Sequence, residues 1–227
     1  MTELDNYLAR HYLNEHQLAA ASGLSLKEID ALIASQMIPA PAYTVSAEGL
    51  LHSHVFGVMP SPGALPGRYF HPSQLSWVAV ARAPRATAVS VKARFVSRFA
   101  AALAALNLST WRLRDCFDDN GGAINEGLRA RTESAWTFFL NGTFSLCVAN
   151  PVSEAHIAYK EVLQEKLTHV SENGQRSSYP AEELVALLEL ISAYAKAAMP
   201  FSPIEYPRSS RKRLVEDLRA RLAAELT

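Results

Sequence analysis

The chain has 227 residues and no net formal charge, 49% of its residues are hydrophobic and 19% are charged. These values exclude long disordered stretches, and the presence of only two cysteines, Cys116 and Cys147, excludes a fold built on disulfides. No apolar run is long enough to cross a bilayer and the first residues do not resemble a secretory signal, so the sequence predicts a soluble cytoplasmic protein with no membrane segment.

The first forty residues predict three short helices. Each begins with a cap-type side chain three residues before a polar partner, as in a capping box. The pairs are Thr2 with Asp5, Asn14 with Gln17, and Ser25 with Glu28. Gly23 lies between the second and third helices, where a left-handed glycine would end one helix and turn the chain sharply. The pattern predicts a helix-turn-helix.

Two short apolar runs follow, at 43–45 and 50–56, and could pair as a small β wing. A helix-turn-helix followed by such a ribbon resembles the amino-terminal module of MerR-type regulators. Residues 57–67 contain three prolines and three glycines, a density of breakers that is typical of a linker. We therefore predict a MerR-like module over 1–57 and a second domain over 68–227.

The second domain is expected to be helical. Apolar periodicity, proline and glycine together predict six helices, at about 71–82, 86–106, 125–140, 153–172, 180–198 and 209–226. Only residues 143–148, with alternating Phe144, Leu146 and Val148, predict a strand. The predicted fold class is mainly α: a helix-turn-helix with a possible small β wing, followed by a helical domain.

Charge is unevenly distributed along the chain. Residues 1–48 and 115–227 each have a net charge of −4, whereas residues 49–114 contain eight basic residues and no acid. Packing against the acidic flanks is one explanation for this basic block. The other is an anion-binding surface, since separated charge of one sign creates an attracting field. On the predicted helix 86–106, Lys92, Arg94 and Arg98 lie off the apolar stripe; together with Arg85 they are the candidate ligand-binding residues.

DNA binding by the first module is possible but disfavoured. The recognition helix would begin at Ser25 and Lys27, the two candidate DNA-binding residues, but it has one base against two acids, Glu28 and Asp30. Phosphates would be repelled by such a surface instead of being neutralised. Packing of this module on the larger domain is the favoured alternative.

Metal binding has one candidate, formed by His52, His54 and His71. Residues two apart on a strand point to the same side, so His52 and His54 could ligate one ion. The basic block contains no carboxylate to complete the set. The favoured interpretation is that two of these are surface histidines and His71 caps a helix, with no metal and no cofactor.

Other polar clusters have structural explanations as well as chemical ones. The run 115–122 holds three aspartates before two glycines, which could bind a cation but is also good turn chemistry. His156 and Lys160, one helical turn apart, could bind a carboxylate or phosphate, or could be solvated. For Cys147, no neighbour in sequence indicates an activated thiol.

The order of these features along the chain also resembles that of a known family, beyond the first module. A MerR-like module ending in 38–43, then Trp136, Gly142, Cys147 and Lys160, is similar to an uncharacterised bacterial family associated with natural-product gene clusters. The resemblance implies an accessory protein of a small-molecule biosynthetic pathway. We expect such a protein to bind an anionic metabolite or a partner protein through the basic helical surface. The alternatives are a MerR-like transcription regulator with a ligand-sensing domain and a metal-dependent enzyme. The oligomeric state stays open.

Overall fold

The computed structural model describes residues 1–176 and 178–225, the side chain of residue 225 excepted. In the first third of the chain, helices and strands alternate: α1 (Glu3–His11), β1 (Leu13–Asn14), α2 (Glu15–Ser22), α3 (Leu26–Ala34), β2 (Tyr43–Val45), β3 (Leu50–Ser53), β4 (Gly57–Pro60) and β5 (Gly67–Phe70). The remainder is helical: α4 (Gln74–Ala81), α5 (Ala88–Leu106), α6 (Asn125–Leu140), α7 (Thr143–Cys147), α8 (Glu154–Val170), α9 (Ala181–Ala197), a 3₁₀ turn (Tyr206–Arg208), a π-helical segment (Lys212–Asp217) and α10 (Leu218–Glu225).

The three amino-terminal helix starts are confirmed. The side chains of Thr2, Asn14 and Ser25 each accept a hydrogen bond from the backbone N–H three residues later. The backbone N–H of each cap residue in turn donates to the side chain of that later residue, which completes a capping box. Gly23 ends α2 with φ 66°, in the left-handed region. Local sequence therefore determines where these helices begin and where the chain turns.

The predicted fold class is wrong in its account of the β structure. The chain forms a five-stranded antiparallel sheet in the order β1-β5-β2-β3-β4, so the fold is a mixture of α and β instead of a helix-turn-helix with a two-stranded wing. The two runs predicted as a wing do pair, as β2 with β3. The other three strands were not predicted, because runs of two to four residues show too little alternation to be recognised. The prolines and glycines of 57–67 also hid β4, where Pro60 is tolerated because β4 is an edge strand.

The predicted helices of the second domain are confirmed as α4, α5, α6, α8 and α9, while the last prediction is divided among the 3₁₀ turn, the π-helical segment and α10. The strand predicted over 143–148 is wrong, because α7 occupies Thr143–Cys147. A five-residue apolar run does not reveal its period, and the left-handed Gly142 starts a helical turn there. Among the described residues, no helix combines the length and apolarity needed to cross a bilayer.

Two hydrophobic clusters form the core. The larger one runs from Leu4 in α1 to Phe201 and includes residues of the sheet and of α4 to α8. The smaller one joins α8 and α9 to the π-helical segment and α10. The amino-terminal helices and the sheet therefore share a core with the helices that follow, on both sides of the boundary predicted at 57–68.

Gly142 is where the amino-terminal third meets the helices, and its replacement by alanine is our first test of this packing. A Cβ there would lie 2.8 Å from the Pro41 carbonyl oxygen and 3.0 Å from that of Ala40, on a backbone with φ +83°. We expect Gly142→Ala to lower the free energy of unfolding by about 2–3 kcal/mol, from backbone strain plus the clash.

Gly23→Ala is the matched control, because Gly23 has a similar φ of +66° but no atom within 4 Å of the added Cβ. We expect Gly23→Ala to lower the free energy of unfolding by about 1 kcal/mol, from backbone strain alone. Urea denaturation measures both. Equal losses would show that Gly142 is not in tight contact with the Ala40–Pro41 backbone.

Candidate functional site

The candidate ligand-binding residues of α5 are engaged by acids of the same chain. Arg94 Nη1 lies 2.7 Å from Glu154 Oε1 and Arg98 Nε lies 3.2 Å from Glu154 Oε2, while Lys92 Nζ lies 2.7 Å from Glu133. Glu154 is fully buried at the start of α8. Arg85 lies outside this group, exposed in the turn before α5, with φ 63°.

Two further arginines of the basic block are also paired. Arg68 bridges Glu15 of α2 and Asp30 of α3, and Arg112 pairs with Asp119. Much of the basic block is thus neutralised by the acidic segments that flank it in sequence. This geometry matches the packing explanation of the charge pattern.

The two candidate DNA-binding residues are exposed at the start of α3. Ser25 caps this helix, since its hydroxyl oxygen accepts the backbone N–H of Glu28 at 3.3 Å. Its own backbone N–H and hydroxyl both donate to the Glu28 carboxylate, each at 2.7 Å. Lys27 is exposed beside it. Asp30 on the same helix pairs with Arg68, which ties α3 to β5.

The three histidines are not brought together as a ligand set. His52 and His54 are exposed, whereas His71 is buried and its Nδ1 lies 2.9 Å from the Ser73 hydroxyl. Burial lowers the pKa of His71 to about 4. In the described part of the chain, no group of three or more His, Cys, Asp or Glu side chains could hold a metal ion.

The aspartate run forms a turn, as its sequence indicated. Asp118 Oδ1 accepts hydrogen bonds from the backbone N–H groups of Asn120 and Gly122, each at 2.8 Å. This carboxylate therefore closes the loop on itself.

His156 and Lys160 differ in environment although they are one turn apart on α8. His156 is exposed and its Nδ1 lies 2.7 Å from the Ser153 hydroxyl. Lys160 is buried, and its ammonium lies 2.8 Å from Glu161 Oε1, 2.6 Å from Gln164 Oε1 and 3.4 Å from Cys147 Sγ. Burial raises the pKa of the Cys147 thiol, which disfavours the nucleophilic thiolate.

A buried carboxylate, missed in the sequence, joins the sheet to the carboxy-terminal segment. Glu205 accepts hydrogen bonds from the hydroxyls of Tyr43 in β2 (2.7 Å), Ser53 in β3 (2.5 Å) and Ser202 (3.0 Å). Burial raises the pKa of Glu205, and this effect outweighs the three hydrogen bonds, which lower it. No sequence signal marks this network, because Tyr43 and Ser53 are each more than 150 residues from Glu205.

The most chemically suggestive cavity lies at the carboxyl end of α8 and has a volume of about 590 Å³. We call it the aromatic–cationic cleft, after five side chains that line it: Trp111, Lys166, His169, Arg176 and Tyr179. Its apolar wall comes from Val170, Ala186, Leu187 and Leu190, and its acidic members are Glu172 and Glu183. A cavity of this size is typical of small-molecule sites.

Trp111 is held in a fixed orientation at one side of the cleft. Its indole N–H donates to Glu165 Oε1 at 3.0 Å, and the other oxygen of Glu165 accepts from Arg131 at 2.6 Å. The indole and the His169 imidazole have their ring centroids 5.2 Å apart. A preorganised aromatic surface therefore faces the cavity.

Two basic side chains of the cleft differ in whether an acidic side chain pairs with them. Arg176 pairs with Glu183 at 2.9 Å and lies over the Tyr179 ring, 4.5 Å from its centroid. Lys166 donates to the Thr110 carbonyl oxygen at 2.9 Å, and among the described residues no carboxylate lies within ion-pair distance of its ammonium. Within the part of the chain that the structure describes, the Lys166 ammonium at the cavity wall is thus bound by a carbonyl oxygen and by no carboxylate.

The turn after α8, which contributes Glu172 to the wall of the cleft, contains three consecutive residues with positive φ. Glu172 and Asn173 are non-glycine residues with φ of 50° and 57°, followed by Gly174 at 80°. The Ser171 hydroxyl anchors this loop by donating to the Leu167 carbonyl and accepting from the Gly174 N–H. Strained backbone that is held in place in this way is often found at ligand sites.

A second cavity, of about 750 Å³, is the groove between α8 and α9. Its walls are mainly apolar and include Tyr159, Val185 and Leu188, with His156, Glu189 and Lys196 among its polar residues. We call it the α8–α9 groove.

Comparison with known proteins gives a family without an assigned activity. A family model described as a family of unknown function (DUF6058) matches residues 91–223, more than half of the chain. The matched segment runs from α5 into α10. No curated protein and no solved structure matches the chain.

Proposed function

The chain belongs to this family of unknown function, and we propose that it binds a small planar monoanion in the aromatic–cationic cleft. Every residue that lines this cleft lies in the segment matched by the family model. The class of ligand is an aromatic carboxylate. One observation carries the proposal: the Lys166 ammonium has no carboxylate partner among the described residues, at the wall of a cavity that also presents the fixed Trp111 indole.

The chemistry of the two groups selects the ligand class. An aromatic ring stacks on the indole face with centroids about 4.5–7 Å apart, and a carboxylate pairs with the ammonium. A hydrogen bond between charged groups contributes about 1.5–3 kcal/mol, which is enough to distinguish an acid from its neutral amide.

The acidic members of the cleft limit the ligand's charge. Glu172 is exposed at the cavity and Glu183 is already paired with Arg176. A polyphosphate would have to approach these carboxylates, whereas a ligand with one negative charge needs only Lys166. The cleft therefore favours a monoanion.

This proposal retains the anionic metabolite expected from the sequence but assigns it to the cleft. At the basic surface of α5, which the sequence predicted as the ligand site, the guanidinium groups of Arg94 and Arg98 already pair with the buried Glu154. The place in a natural-product pathway stays a proposal that follows from the sequence resemblance. The cytoplasmic location also stays a proposal, supported by the two free cysteines.

The proposal predicts that 2-naphthoate binds the full-length protein and that Lys166→Met weakens this binding about tenfold to a hundredfold. Isothermal titration calorimetry measures the affinity, and Trp111 fluorescence reports ring contact, since Trp77 and Trp136 are buried in the core. The neutral analogue 2-naphthamide should bind wild type and Lys166→Met with similar, weaker affinity.

Lys196→Met is the matched control, because Lys196 is an exposed lysine of the α8–α9 groove. Its affinity for 2-naphthoate should equal that of wild type. The proposed function is wrong if benzoate, salicylate and 2-naphthoate all fail to bind at millimolar concentration. It is also wrong if both lysine variants lose affinity equally.

A further inference from the structure

The helix α9 is apolar on two sides, and only one of them is covered by the fold. Leu187, Leu190, Ile191 and Tyr194 are buried in the smaller core cluster. On the other side Val185 is 67% exposed and Leu188 is 42% exposed, beside the exposed Tyr159 of α8. Neighbouring exposed apolar side chains of this kind often mark a surface that contacts another protein.

The exposed side of α9 has a regular spacing. Apolar and small residues recur four and three positions apart and form one stripe: Ala181, Val185, Leu188, Ser192 and Ala195. This is the spacing with which one helix packs along another. The stripe borders the α8–α9 groove, which is open to solvent and wide enough to receive side chains from a second helix.

Charges beside the stripe identify the second helix. Glu182 lies in the first turn of α9 and Lys196 in the last, and each is exposed. When two copies of α9 run antiparallel with the two-fold axis between Leu188 and Glu189, Val185 of one copy faces Ser192 of the other. Glu182 then faces the Lys196 of the other copy, and the same pair repeats on the far side of the axis.

We propose that this face is an interface between two copies of the chain, formed by antiparallel packing of α9 against α9 around Leu188. The stripe is self-complementary in shape and, at its two ends, in charge. Antiparallel helices also align their dipoles favourably. Near the axis the two Glu189 carboxylates approach each other, and this is the unfavourable contact of the arrangement.

Sedimentation velocity of the full-length protein, between about 1 and 200 μM, tests the proposal. Wild type should dimerise in this range and Leu188→Glu should remain monomeric. Val89→Glu is the control, since Val89 is more exposed still but lies on α5, away from the groove. Circular dichroism checks that each variant is folded.

Charge exchange tests the register. Lys196→Glu should weaken the dimer about tenfold, because both end pairs become repulsive, and adding Glu182→Lys should restore it. Glu189→Gln should tighten it. A wild type that is monomeric throughout the range overturns the proposal, as does a dimer that Leu188→Glu leaves intact. Failure of Glu182→Lys to restore association overturns the antiparallel arrangement. None of these outcomes depends on ligand binding in the aromatic–cationic cleft.

Discussion

Replacement of Glu205 by alanine is expected to lower the free energy of unfolding by about 3–5 kcal/mol. The hydroxyls of Tyr43, Ser53 and Ser202 all donate to this carboxylate, which is almost completely buried. Alanine would leave three buried donors without an acceptor. Urea denaturation at neutral pH measures the loss. Glu48→Ala, which removes an exposed glutamate of the same amino-terminal sheet region, should cause a far smaller loss, because its hydrogen bond to Ser46 is open to solvent.

Glu205→Gln separates the hydrogen bonds from the charge. Burial raises the pKa of Glu205, so the folded state holds the proton more tightly than the unfolded state. The resulting stabilisation is complete below the unfolded pKa of about 4.3 and is lost as pH rises through the higher folded value. The glutamine variant cannot titrate here, so its stability relative to wild type should rise with pH across this window. Parallel pH profiles would contradict the assignment.

Helices and turns could be predicted from the sequence because their determinants are local. The capping pairs that begin α1, α2 and α3 lie three residues apart, and the apolar stripe of α5 repeats within nineteen residues. The β2–β3 pair could be predicted from neighbouring apolar runs, but the complete sheet could not, since β1 pairs with β5 across more than fifty residues and contributes only Leu13 and Asn14. A strand of two residues has no alternation to detect.

The candidate site was missed for a related reason. Lys166 and His169 are three apart on α8, but Trp111 comes from the segment after α5 and Tyr179 from the loop before α9. Nothing in the sequence indicates that these segments meet.

The charge distribution did carry usable information, although it did not reveal which acid pairs with which base. Arg94 and Glu154 are sixty residues apart.

Removal of both Arg94 and Arg98 is expected to lower the free energy of unfolding by about 3–5 kcal/mol, because the buried Glu154 carboxylate would lose both of its cationic partners. Arg94→Ala alone should cost about 1–2 kcal/mol, since Arg98 remains 3.2 Å from the other carboxylate oxygen. Arg98→Ala should cost less than Arg94→Ala, because Arg98 is more exposed and its contact is longer.

A double-mutant cycle identifies the cause of this loss. In a Glu154→Gln background the two arginine substitutions should cost far less, since no buried charge is left unpaired. Lys92→Ala, which removes a pair exposed on both sides, should change stability by no more than about 1 kcal/mol. Thermal melts with and without phosphate and acidic metabolites complete the test. If Arg94→Ala left stability unchanged without ligand but abolished an anion-dependent shift of wild type, these arginines would bind a ligand and their pairing with Glu154 would not be structural.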